Sequence, residues 1–426
     1  MIFAVKSCCK DMGKLKLCFL LSFIPFMYFK AASQEMHEGI VVSCPIGEHS
    51  FTQVNLGHDL SNLRTAANTA SFDVTYGSGF PSGAKTAFQA AVNVWSKVLV
   101  SRVPIKISAK WEEVESNTLA SSGAKNVYKN FSNSAVKNVW YPVSLAEAIK
   151  GENLNGTDFD ITISINKNIN WSYLTDGNYE AFKYDLMTVV MHEIAHGLGF
   201  TSTFKLNETN TSQAIWGLNG LPIIYDIFLQ NSSGILLTND GTYGNPSTDL
   251  KKFLTSNALY YKITNESDLQ DLPKIFAPTT YVTGGSISHL DESKYPKGTI
   301  NSLMSPSIGS SEVNHFPGEV ILKVLNQIGW PVNFLSGAVV TSVEPPANNE
   351  KFFVFPNPVN DILNVIVPEK FISESFYFQV FDGSGVLQKK VLNSGQDTQK
   401  IDFSDFAPGL YYIKTGDLQS FRIIKN

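Results

Sequence analysis

The chain has 426 residues, 43% of them hydrophobic and 17% charged, with a formal net charge of −5. That length exceeds one typical domain and predicts two with short extras, while the composition is that of ordinary globular protein. The acidic balance excludes the basic footprint that marks nucleic-acid binders, and aromatic residues at 12% point to β-rich parts.

Taken in chain order, residues 1–33 have the layout of a signal peptide. Lys14 and Lys16 precede an apolar run over 17–29, and the small residues Ala31, Ala32 and Ser33 follow. The run is short for a spanning helix and Pro25 interrupts it, so no stable membrane span is expected. Cys8, Cys9 and Cys18 fall in this segment. Only Cys44 would survive processing, so the exported chain has no intrachain disulfide to draw on. Residues 34–70 are polar and poorly patterned and read as a candidate pro-segment. A Cys44 thiolate there could fill a metal's open position, although a cysteine with no metal role is the more ordinary case.

From residue 71 the pattern sharpens. Residues 72–76 alternate as a strand, and 84–100 have helical spacing, with Ala87, Phe88, Ala91, Val94, Trp95 and Val98 on one face. Strands are expected at 103–111 and 158–165, the latter with Phe159, Ile161, Ile163 and Ile165 on one side. A helix follows over 186–199, with Asp185 as N-cap and Gly197 and Gly199 as stop signals. Leu186, Met187, Val190, Met191, Ile194 and Leu198 form a broad apolar arc. His192 and His196, four residues apart, stand one turn above the other on nearly the opposite side, with Glu193 between the pair and the arc. A helix apolar almost all round is expected to be buried. Buried imidazoles and a buried carboxylate are costly unless something pairs them, and a zinc ion would do so.

Residues 200–288 are rich in Asn, Ser, Thr and Gly, with one apolar knot at 221–229. They read as an insertion with short elements of its own, lining a cleft. A last helix is expected at 320–329, with Ile321, Val324, Leu325 and Ile328 on one face. Residues 336–350 read as a linker. Strands at 362–367, 376–381, 386–391, 400–403, 410–414 and 421–425 then predict a small all-β sandwich over 351–426.

Zinc on two helical imidazoles needs a third protein ligand and an open position. The position six residues past His196 holds Ser202, and a hydroxyl is a poor zinc ligand. That leaves His289, His315 or a carboxylate. His289 is the first choice, because it precedes Met304 by fifteen residues, and a methionine in a tight turn accompanies this zinc geometry. His315 lies beyond that turn.

These features together resemble a metzincin-type zinc metallopeptidase, most closely the leishmanolysin-like branch. The residues that carry the resemblance are His192, Glu193, His196, Gly199 and Phe200, then His289 with Leu290, and Leu303, Met304, Ser305 and Pro306. It covers roughly residues 70–335. It implies an α+β peptidase domain over 71–335, a twisted mixed sheet with an active-site helix. It also implies Zn2+ held by His192, His196 and His289, a structural Met-turn at Met304, and a protein or peptide substrate hydrolysed through a zinc-bound water activated by the catalytic Glu193. No tyrosine follows Met304 by two residues, where some members of the branch have one, which leaves the oxyanion-stabilising group unassigned. The C-terminal residues resemble a type IX secretion sorting domain, on Phe355 to Asp361, Asp382 to Gly385, Pro408 to Tyr412 and Ile423 to Lys425. That resemblance implies the type IX machinery as a partner and a secreted or cell-surface location. Two rival functions are a surface-displayed adhesion or binding protein on an inactive peptidase scaffold, and a zinc hydrolase acting on something other than peptides.

Overall fold

A computed structural model describes residues 34–54, 69–333 and 352–426, apart from residues 240, 265, 267, 356, 357, 368, 384, 397 and 416–418. The expected signal peptide and linker lie outside the described residues. The N-terminal elements are β1 (Glu35–Glu38), β2 (Val42–Pro45), β3 (Thr52–Gln53), β4 (Phe72–Tyr76), α1 (Ser82–Val98), β5 (Ile105–Glu112), β6 (Thr118–Ala124), β7 (Asn126–Lys129), β8 (Tyr141–Pro142), α2 (Val143–Lys150), β9 (Ile161–Asn166), β10 (Trp171–Ser172), β11 (Tyr184–Asp185) and α3 (Leu186–Gly197).

The central sheet has the order β2-β6-β9-β5-β4. Strands β4, β5 and β9 run parallel, β6 is antiparallel to β9, and β2 is antiparallel to β6. Alternation places Ile105, Ile107 and Ala109 of β5 and Ile161, Ile163 and Ile165 of β9 in the core. Helix α1 buries the face expected of it, Ala87, Phe88, Ala91, Val94, Trp95 and Val98.

Two features escape a pattern search. Strand β6, with the sequence TLASSGA, is buried along almost its whole length. Its residues are small because α3 and the N-terminal segment both press on it; a Cβ on Gly123 would lie 1.8 Å from the Ile40 carbonyl oxygen. Residues 34–54 hold β1, β2 and β3, which pair with β7, β6 and the later strand at Glu312–Val313. Main-chain bonds fix this segment, so its side chains carry no periodic signal.

Helix α3 is buried at every residue. Asp185 caps it, accepting the Thr188 N–H at 2.7 Å. Other elements donate to its carbonyls: Trp95 Nε1–H to Met191 at 3.1 Å, Ser122 Oγ–H to Glu193 at 2.8 Å, and Trp330 Nε1–H to Leu198, just past its end, at 2.8 Å. Gly199, at φ +114°, then turns the chain away.

The stretch after α3 does hold short elements: β12 (Lys205–Leu206), β13 (Ala214–Ile215), β14 (Leu229–Asn231), α4 (Thr248–Leu254), β15 (Leu259–Tyr261) and β16 (Lys274–Ile275). β17 (Glu312–Val313) and α5 (Gly318–Ile328) close this part, and Gly329 ends α5 in the left-handed region at φ +118°. The C-terminal part comprises β18 (Phe353–Phe355), β19 (Ile362–Ile366), α6 (Glu369–Ile372), β20 (Tyr377–Asp382), β21 (Leu387–Leu392), β22 (Thr398–Asp402), β23 (Gly409–Thr415) and β24 (Gln419–Lys425). Its sheets β18-β19-β22 and β21-β20-β23-β24 share a core of their own, which includes Leu363, Val365, Phe378, Val380, Ile401 and Ile413. Strand β18 lies ahead of the first strand expected there. No helix among the described residues is long and apolar enough to cross a membrane.

The fit of α3 against β9 depends on Gly197, where an added Cβ would meet Ile161 Cγ2 at 2.4 Å. Gly197→Ala is expected to destabilise the domain by about 1–3 kcal/mol through overpacking, read as a lower midpoint in urea denaturation.

Candidate metal centre

His192 and His196 project from the C-terminal half of α3, and His289 reaches them across the intervening segment. Three contacts set its position. Phe276 N–H donates to the His289 carbonyl at 2.9 Å, Ile287 N–H to the Phe276 carbonyl at 2.8 Å, and Tyr225 Oη–H to the Ile287 carbonyl at 3.2 Å. Ile287 is held at φ +74°, a left-handed conformation that a β-branched residue adopts only when its surroundings impose it, at a cost on the order of 1–3 kcal/mol.

The ring nitrogens define the chemistry. Each Nδ1 faces a backbone carbonyl: His192 at Leu303 (2.8 Å), His196 at Phe200 (2.7 Å) and His289 at Gly285 (2.7 Å). A carbonyl oxygen can only accept, so each Nδ1 carries the proton and each Nε2 presents a lone pair. Those Nε2 atoms converge: His196 lies 3.1 Å from His192, and His289 lies 3.2 Å from His192. Burial lowers the His192 pKa to about 4. Burial, and then the charge of His192, lower that of His289 to about 3. His196 is held well below the usual imidazole range by burial first, then by the other two rings. Three neutral imidazoles with converging lone pairs and no proton to share repel one another unless a cation lies between them. Neutral imidazole suits zinc, and Zn–N bonds of about 2.0–2.1 Å give a tetrahedral edge of about 3.3–3.4 Å, close to the separations seen. Carbonyls on the opposite ring nitrogens are the usual outer partners of metal-bound histidines.

Met304 is fully buried in a tight turn, Ser305 N–H to Ser302 carbonyl at 3.0 Å. The backbone of this turn orients two of the three rings. The Leu303 carbonyl takes His192, and the Met304 carbonyl accepts the N–H of Leu290, next to His289, at 2.8 Å.

Glu193 is fully buried and neither carboxylate oxygen has a hydrogen-bond partner. Burial raises its pKa well above the usual carboxyl range. Cys44 is fully buried beside it. Ligand atoms of Cys44, His192 and Glu193 all lie within 4.8 Å of one another. Burial, and then the charges of Glu193 and Glu312, push the Cys44 thiol up.

The remaining candidates are elsewhere. His315 donates from Nε2 to Asp185 Oδ1 at 2.7 Å, at the N-terminal end of α3. Ser202 sends its hydroxyl to Asp226 Oδ1 at 2.7 Å and its N–H to Ser288 Oγ at 3.0 Å. Asp226, which is fully buried, also accepts the N–H and hydroxyl of Thr203. It thereby ties the chain leaving α3 to the segment that delivers His289. Sequence reasoning passed over Asp226, although a lone acid inside the apolar knot at 221–229 was a signal.

Comparison with known families bears on the two ends of the chain differently. A family described as a secretion system C-terminal sorting domain matches residues 353–425. Those residues are a type IX sorting domain. The protein is therefore exported by the type IX secretion system, to the cell surface or beyond it, and the machinery of that system is a partner. A second family, described as SPBPB7E8-like, matches residues 41–216, from β2 through the central sheet and α3. No curated protein matches the chain.

The lowered imidazole pKa values set a pH dependence for the metal-free chain. An unfolded histidine takes up its proton near pH 6.5, whereas His192 and His289 stay neutral in the fold down to about 4 and about 3. Their contribution to stability is present above about 6.5 and is lost as pH falls towards those values, by up to about 1.4 kcal/mol per pH unit for each ring. Urea midpoints of metal-free protein between pH 7 and 4 should fall more steeply for the wild type than for His192→Gln. Parallel curves would contradict the assignment.

Proposed function

We propose that the protein is a secreted zinc-dependent endopeptidase. The observation that carries this reading is the convergence of three Nε2 lone pairs, from His192, His196 and His289, beside a buried Glu193 that has no partner. Zinc held there would supply a Lewis acid, lowering the pKa of a water and polarising the carbonyl of the bond to be cut.

The chain's own residues do the rest. The carbonyls of Leu303, Phe200 and Gly285 hold each imidazole in the tautomer that leaves Nε2 free. Glu193 takes the proton of the attacking water and passes it to the leaving amine. Its pocket suits both halves of that task, because burial brings the carboxyl's proton affinity up towards that of the groups it serves. The resemblance to metzincins supports a peptide as substrate. Against an adhesion protein on a retired scaffold stands Glu193 itself. A buried carboxyl without a hydrogen bond costs on the order of 1–3 kcal/mol or more, and a binding scaffold has no use for it.

Glu193→Gln should lower peptide cleavage by at least about 10²–10⁴-fold while zinc content, measured by atomic absorption, stays at the wild-type level; unchanged cleavage would refute the role. For the tail, deletion of residues 351–426 should leave the protein in the periplasm, checked by fractionation, and normal extracellular delivery would refute the sorting function.

A further inference from the structure

Between His196 and His289 the long segment returns to the centre through two adjacent residues, Tyr225 and Asp226, both fully buried. They sit in the apolar knot at 221–229, where a single 3-10 turn runs over Asp226–Phe228. The knot is anchored to the scaffold just ahead of β8. Trp140 N–H donates to the Pro222 carbonyl at 2.9 Å, and Ile224 N–H donates to the Trp140 carbonyl at 2.8 Å.

Each of the two residues reaches both histidine branches. The Tyr225 ring lies 5.2 Å from that of Phe200, whose carbonyl takes the Nδ1 proton of His196. The Tyr225 hydroxyl donates to the Ile287 carbonyl at 3.2 Å, two residues before His289. Asp226 accepts the Ser202 hydroxyl at 2.7 Å, the Thr203 N–H at 3.1 Å and the Thr203 hydroxyl. The Ser202 N–H reaches on to Ser288 Oγ at 3.0 Å, beside His289.

The groups that bond the Asp226 carboxylate are all donors. Ser202 Oγ accepts the Phe204 N–H at 3.1 Å, and Thr203 Oγ1 accepts the Gly217 N–H at 2.8 Å, which leaves each hydroxyl its proton for Asp226. An acceptor-only side chain meets that demand, whereas an amide would set one donor against another. His289 needs outside support, because its approach passes through Ile287 at φ +74°, a conformation that persists only when its surroundings impose it.

We propose that Tyr225 and Asp226 are positioning residues of the metal centre, which set the third imidazole against the two on α3. The inference rests on the zinc-peptidase reading for the identity of the ion. Tyr225 fixes the chain entering His289, and Asp226 fixes the chain leaving α3 that lies against Ser288. Both act through the histidines, so their loss is felt in the affinity for the ion.

The test is the dissociation constant of zinc for the full chain, read by competition with a chromophoric chelator. Tyr225→Phe removes the hydroxyl and leaves the ring on Phe200, while Asp226→Asn replaces an acceptor oxygen by a donor. Each is expected to weaken zinc binding about 10–100-fold, as loss of a partner behind a ligand does. In a His289→Ala background, Tyr225→Phe should change the affinity by less than about twofold, the margin within which such cycles close, because the ligand it positions is gone. An equal loss in both backgrounds, the mark of a merely structural role, would overturn the inference and leave the peptidase reading intact. So would unchanged affinity in either single variant. A wild type that binds no zinc would overturn both. Tyr225→Phe keeps the ring packing, so the cycle stands even where Asp226→Asn does not fold.

Discussion

Three imidazoles whose Nδ1 protons are already committed to backbone carbonyls face one another across 3.1 and 3.2 Å. That arrangement is repulsive without a cation, and much of the domain exists to impose it. Two rings come from one fully buried helix whose carbonyls are held by Trp95, Ser122 and Trp330. The third is carried across a long segment that Asp226 pins to the helix exit and that passes through a strained Ile287. The turn at Met304 reaches both groups through consecutive carbonyls. Backbone strain beside His289, a buried carboxyl without partners and three neutral imidazoles are each unfavourable alone, and a cation held there, as we propose, would account for the last two.

The sequence exposes this centre unevenly. Helix α3 was legible because its apolar period, its Asp185 cap and its glycine stop agree; the apolar period alone marks α1, and the period with a closing glycine marks α5. His289 was legible as the first choice over His315 only through its spacing to Met304, because no local rule joins it to His196, 93 positions away. What separates the two in space is Asp185, which takes the imidazole of His315 at the far end of α3. Strand β6 was illegible because being pressed from both sides selects small residues, which erases alternation. In the segment 34–54 the candidate pro-segment and Cys44 could be named but the strands could not, because the segment is fixed by main-chain bonds, which any sequence can make.

Export frames the chemistry. A protein sent out by the type IX route with one cysteine in its described residues, Cys44, draws on no internal disulfide there, so the hold of those residues on structure rests on their two separate cores.

The most direct measurement of the central claim is zinc retention by the purified wild type and His289→Ala after dialysis against the same concentration of chelator. The account predicts about one zinc per chain in the wild type, as a three-ligand site holds a single ion, and near-complete loss in the variant. Equal retention by both proteins would contradict it, since the ion would then owe nothing to the residue that the long segment is folded to deliver.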